Sequence, residues 1–156
     1  MVEKIAPRIA LPPVDQIGVL VKDAEEAANY YFSMFGIGPF ALYDIKINKG
    51  MSYGKPTAPG RTKIAIARMG LIEFELIQVL EGCEELYGEF LRDQGEGLHH
   101  LGIHIKDSDE YDRLLAEFAD EGIDCIFSYK GRNLSMAYMD TRDTGGVILE
   151  LIQMAT

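Results

Sequence analysis

Apolar and polar positions alternate from Val14 to Val21, a segment rich in β-branched residues, and this predicts a strand. Asp23 follows as a helix N-cap, with Glu26 three residues on completing a capping-box pattern. The helix Ala24–Phe35 places Ala27, Tyr31 and Met34 on one face. Gly36 ends it, and Gly38 and Pro39 prevent its continuation. Phe40–Asn48 alternates as a second strand. Lys49–Gly60, with three Gly and two Pro, reads as a long loop. Thr62–Met69 and Leu71–Leu80 are two further strands joined at Gly70. Cys83–Asp93 reads as a helix with Leu86, Phe90 and Leu91 on one side.

The same order then begins again. Strand Leu98–Lys106 leads to an N-cap at Asp107 or Ser108, a helix Glu110–Glu121, a stop at Gly122, and strands Ile123–Tyr129, Leu134–Asp140 and Gly146–Met154. The repeat is also literal. Gln16-Ile-Gly-Val-Leu-Val-Lys-Asp23 is echoed by His100-Leu-Gly-Ile-His-Ile-Lys-Asp107, and Glu75-Leu-Ile-Gln78 by Glu150-Leu-Ile-Gln153. Each half is therefore strand–helix–strand–strand–strand, and the duplication decides the architecture. The fold class is α+β, with two βαβββ modules in tandem: residues 14–80, a linking helix and loop at 81–97, and residues 98–154, together one domain over 1–156.

Residues two apart on a strand share a face. Gln16, Gly18 and Leu20 therefore share one face, as do His100, Gly102 and His104. Ile17, Val19, Val21 and Leu101, Ile103, Ile105 occupy the opposite faces, beneath the module helices. In the last strand of each half, Glu73, Glu75 and Ile77 match Ile148, Glu150 and Ile152. Gln16, Glu75, His100 and Glu150 then point away from the helices, into the concavity of a curved sheet, with Gly18 and Gly102 leaving room beside them. Alone, a Gln or Glu near a strand end is ordinary surface, and His99, on the helix side, reads as a core histidine. As a symmetric set of four, two carboxylates on strands otherwise made of Ile, Phe and Leu need a cation if they are buried.

The bulk composition narrows the function. Its 156 residues, 47% of them hydrophobic, suffice for one core. A net charge of −10 argues against nucleic acid. No stretch reaches membrane-spanning length, and Met1–Pro13 lacks the apolar block of a secretion signal. Cys83 and Cys125 are too few for a disulfide framework and fit a reducing cytoplasm.

The strings Gly97-Leu-His-His-Leu-Gly102, Gly145-Gly-Val-Ile-Leu-Glu-Leu151 and Asp15-Gln-Ile-Gly-Val19 resemble the vicinal oxygen chelate superfamily, which includes glyoxalase I and methylmalonyl-CoA epimerase. The resemblance runs from about Val14 to Gln153. It implies a curved eight-stranded half-barrel around one central metal site, with ligands at Gln16, Glu75, His100 and Glu150. Phe90–His100 and the turn Thr144-Gly-Gly-Val147 look closest to the epimerases, whereas Gln16 stands where those usually have His and is instead like some glyoxalase I enzymes. The implied cofactor is one divalent ion (Zn, Co, Ni or Mn). The implied reaction moves a proton next to a carbonyl through a metal-stabilised enediolate. Glu150 is the first candidate for moving that proton, with Glu75 its symmetry mate, Glu73 an unliganded alternative and His104 a supporting residue. The expected substrate is an acyl-CoA thioester, as for methylmalonyl-CoA epimerase, or a hemithioacetal, as for a glyoxalase I-type lactoylglutathione lyase. A non-catalytic resistance-type binding protein is the reading from another class. A cytoplasmic homodimer is expected. Tyr30, Tyr31, Phe32, Tyr53 and Tyr138 are candidate pocket walls, with Tyr31 placed in the core, and Lys49–Gly60 is a candidate lid.

Overall fold

The structure is a computed structural model that describes residues 5–155. In chain order it forms β1 (Gln16–Leu20), α1 (Ala24–Phe35), β2 (Ala41–Ile47), β3 (Met51–Ser52), β4 (Lys55–Pro56), β5 (Gly60–Met69) and β6 (Ile72–Glu81). A π-helical turn (Glu84–Gly88) and α2 (Glu89–Gln94) connect these to β7 (Gly97–Ile105), α3 (Ser108–Asp120), β8 (Cys125–Lys130), β9 (Leu134–Met139), α4 (Arg142–Gly145) and β10 (Ile148–Met154).

The local signals act where the sequence puts them. Asp23 accepts hydrogen bonds from the Glu25 and Glu26 amides, and Asp107 does the same for Asp109 and Glu110. Gly36 closes α1 in the left-handed region at φ 69°. Two expectations fail in detail. Met34 is exposed, because α1 buries Ala24 and Ala28 against Phe74 and Leu76, with Ala27 and Tyr31 at the margin. The linking helix is also broken into a π-turn and a short α-helix.

All strands join one curved sheet in the order β2-β5-β6-β1-β7-β10-β9-β8-β3-β4. Its first eight strands are symmetric about the β1–β7 pair: β1 matches β7, β6 matches β10, β5 matches β9 and β2 matches β8. Register carries the symmetry to single residues. Gly18 faces Glu75 as Gly102 faces Glu150, and Gln16 faces Gly102 as Gly18 faces His100. The Lys49–Gly60 segment is not a free loop. It forms the β3–β4 hairpin, which crosses to the second module, pairs Met51 with Ser128 of β8 and makes the sheet ten-stranded rather than eight.

The helices cover the convex side. Helix α3 packs on Ile103, Ile105, Ala137 and Leu151. A third apolar cluster fills the concave side, where Leu86, Tyr87 and Phe90 of the linking segment meet Leu20, Ile77 and Ile148. No helix is long and apolar enough to cross a membrane among the described residues.

Candidate metal centre

The expected donors meet at one point. His100 Nε2 lies 3.0 Å from Gln16 Oε1, 2.8 Å from Glu150 Oε2 and 3.4 Å from Glu75 Oε2. One donor atom from each of Glu75, His100 and Glu150 lies within 4.8 Å of the others, and all four residues are buried. Four different strands deliver them: β1, β6, β7 and β10.

Neighbouring residues set the direction of each donor. Gln16 Nε2 donates to Glu73 Oε1 at 2.7 Å, which turns the amide oxygen towards His100. Glu73, the unliganded alternative base, thus holds the Gln16 amide in place. Room for the imidazole comes from Gly18, where a Cβ would lie 2.0 Å from His100 Cε1. Room for the amide comes from Gly102, where it would lie 2.6 Å from Gln16 Oε1. The glycines therefore make space for the donor side chains themselves.

His99 is buried, as a core histidine should be, but not on the face that regular alternation gives it. A bulge shifts the β1–β7 register between Gly18 and Val19, so two consecutive residues of β7 turn the same way. His99 consequently lies against His100, Nδ1 to Nδ1 at 3.0 Å, and beneath the linking segment instead of a module helix. Its ring is enclosed by those of Tyr87, Phe90 and Tyr138 at 5.0–5.1 Å between centroids. Burial and the neighbouring His100 charge push its pKa down to about 3, so it accepts and His100 Nδ1–H donates. That bond leaves Nε2 of His100 aimed at the carboxylates. No sequence signal distinguishes this bulge from regular alternation.

The electrostatics fit a divalent ion. Burial alone would lower the His100 pKa, but the Glu150 charge, with help from Glu75, outweighs it and raises it to about 9. Burial raises the Glu150 carboxyl against the pull of His100. One imidazolium against two buried carboxylates leaves one negative charge uncompensated, whereas a divalent ion with a neutral imidazole balances both. An imidazole nitrogen and three oxygens are a donor set for Zn, Co, Ni or Mn.

A cleft of about 350 Å³ opens onto this cluster, bordered by Glu75 and Glu150, by Tyr87 and Tyr138, and at its mouth by Lys46 and Arg132. Neither cation has an ion-pair partner among the described residues. Of the aromatic candidates, Tyr138 lines the cleft. Tyr30, Phe32 and Tyr53 are exposed elsewhere, and Tyr31 packs on Phe74 as a core residue. Tyr87 was not among the expected wall residues, because the linking segment carries no pattern that aims it at the site. His104 is drawn to Asp15, its Nδ1 2.9 Å from Asp15 Oδ1, and makes no contact with the four donors. A second hollow of about 420 Å³, between α3 and the β3–β4 hairpin, is remote from all of them.

The chain matches the family model of the Glyoxalase/Bleomycin resistance protein/Dioxygenase superfamily over residues 15–138. It belongs to that superfamily. The chain is 23% identical over 140 residues to the uncharacterized protein YqjC of Bacillus subtilis (strain 168), covering 90% of this chain and 91% of that one. Among solved structures, it superposes with TM-score 0.68 on the hypothetical protein BH1468 from Bacillus halodurans C-125, at 23% identity and covering 92% and 95% of the two chains. It superposes with TM-score 0.67 on a methylmalonyl-CoA epimerase in complex with methylmalonyl-CoA and NH4+, at 21% identity and covering 94% and 97%. At these identities the structures establish a shared fold.

Proposed function

We propose that this superfamily member is a divalent-metal-dependent isomerase that moves a proton beside a carbonyl, on an acyl-thioester substrate of the methylmalonyl-CoA kind. The convergence of Gln16, Glu75, Glu150 and His100 at the floor of the cleft carries this reading. When bound by these four, the ion supplies Lewis acidity towards substrate oxygens. Glu150 is the carboxylate assigned to the proton, as a donor that could detach from the ion to hold it. Its burial raises its affinity for a proton, and Glu75 borders the same cleft from the other module. Tyr87 and Tyr138 wall this floor, and Lys46 and Arg132 at the mouth suit an anionic group such as the phosphates of an acyl-CoA.

Turnover of methylmalonyl-CoA, followed by proton exchange with solvent in Zn-, Co-, Ni- and Mn-loaded protein, tests this assignment. Glu150→Gln should lower kcat by about 10²-fold or more, while His100→Ala with Glu150→Ala should abolish stoichiometric ion uptake. Gln16 at the first donor position favours a second reading, a glyoxalase I-type lyase. Turnover of a glutathione hemithioacetal by a protein inert towards acyl-CoA would establish it instead. A protein that takes up no divalent ion belongs with the non-catalytic binders.

A further inference from the structure

Tyr87 and Tyr138 meet hydroxyl to hydroxyl, 3.1 Å apart, on the cleft wall beside Glu75 and Glu150. Tyr138 stands opposite Glu150 in the β9–β10 ladder, and its ring lies 5.0 Å from that of His100. Tyr87 reaches the same spot from the π-turn, its ring 5.1 Å from His99. Two hydroxyls carry two protons, and one mutual hydrogen bond uses only one of them. Neither oxygen has another hydrogen-bond partner among the described residues. Whichever hydroxyl accepts keeps an unused O–H, and both phenols stay protonated because burial, reinforced by the Glu75 and Glu150 charges, raises their pKa values. A buried donor of this kind is costly to leave unmet, and the cleft is the open space beside it.

We propose that Tyr87 and Tyr138 act as one shared hydrogen-bond donor to an oxygen of the substrate seated at the metal centre. This rests on the metal-dependent reading above. The donor transfers no proton. It stabilises negative charge on the oxygen as the neighbouring carbon loses its hydrogen. Because the mutual bond can run either way, either ring can present the free O–H.

That interchangeability gives a test. Removing one hydroxyl breaks the mutual bond and frees the remaining O–H to serve the substrate, whereas removing both eliminates the donor. Acetohydroxamate, which chelates through two oxygens, is the probe, titrated calorimetrically into Zn-loaded protein. Tyr87→Phe and Tyr138→Phe should each bind it within about threefold of the parent, and the double variant about tenfold or more weaker, with Zn uptake equal in all four proteins. On a substrate the parent turns over, the double variant should lose about 10²-fold in kcat with a smaller change in KM. Hydroxamate binding by the double variant as tight as the parent's overturns the proposal. So does a full loss already present in each single variant, which would make the pair a packing contact. Proton NMR of the unsubstituted Zn-loaded protein provides a measurement free of any folding defect. A slowly exchanging tyrosine hydroxyl resonance should move downfield on adding acetohydroxamate, and an unmoved one counts against the donor. Tyrosine-dependent hydroxamate binding without turnover of either substrate would overturn the assigned reaction alone. Absence of ion uptake would overturn both.

Discussion

A single methyl group at Gly18 would sit within bonding distance of the His100 ring, which is fully buried and held by His99 on its other nitrogen. Nothing there can yield without moving a donor. A Cβ at Gly102 would meet Gln16 at both its Oε1 and its Cβ, 2.6 and 2.8 Å away, and the Gln16 Cβ cannot rotate aside. Gly18→Ala and Gly102→Ala should therefore each cost about 1–3 kcal/mol in urea unfolding and weaken Zn binding. Unchanged stability and Zn binding in either variant would mean that the expected donors are not fixed as described. Glu73 is a positioning residue on the same logic. Glu73→Ala frees the Gln16 amide to flip and should reduce Zn affinity by about 10-fold or more, leaving stoichiometry at one ion per chain. An unchanged affinity would return Glu73 to the status of a spare carboxylate.

Among the elements, the β3–β4 hairpin has the most to show. Ser52 Oγ donates to the Ile126 carbonyl at 2.8 Å, and Gly50 is buried where a Cβ would lie 2.4 Å from the Phe127 ring. Phe127 in turn lines the cleft, so the hairpin braces a cleft wall from behind rather than closing over it as a lid. Gly50→Ala should shift Phe127, cost about 1–3 kcal/mol by urea denaturation and weaken acetohydroxamate binding to the Zn-loaded protein, whereas Tyr53→Ala, at the exposed tip, should do neither. The segment's Gly and Pro content announced a break between strands, and no more than that. Two-residue strands have no periodicity to read, and their partner lies 77 positions on, as the Met51–Ser128 register shows. The long strands, both capped helices and the duplicated order were legible because alternation, caps and repeats are local. The convergence of Gln16, Glu75, His100 and Glu150 was legible because the repeat aligns them. His99 and Tyr87 were not, since a bulge and a π-turn follow from packing.

For the molecule as a whole, the paired histidines set opposite limits on stability. His99 has a folded pKa of about 3 against an ordinary 6.5, so the unfolded chain binds its proton first and stability falls as pH drops below about 6.5. His100 has a folded pKa of about 9 against 6.5, so its contribution is complete below about 6.5 and is lost as pH rises to about 9. Ion-free protein should thus melt highest near pH 6.5, and a saturating divalent ion should flatten the alkaline limb by taking the proton's place on His100. A melting temperature independent of pH from 6.5 to 9 without metal would contradict the paired assignment. The two edges of the sheet differ in a way that bears on the duplication itself. One edge, β2, ends bare, while the other, β8, is finished by a hairpin borrowed from the opposite half of the chain. Cutting the polypeptide near Gly82 would give two fragments that are unequal despite their kinship: one trailing an unpaired ribbon, the other missing its border. Mixed together, they should find each other through that ribbon as well as through β1 and β7, laced like the two sides of a boot.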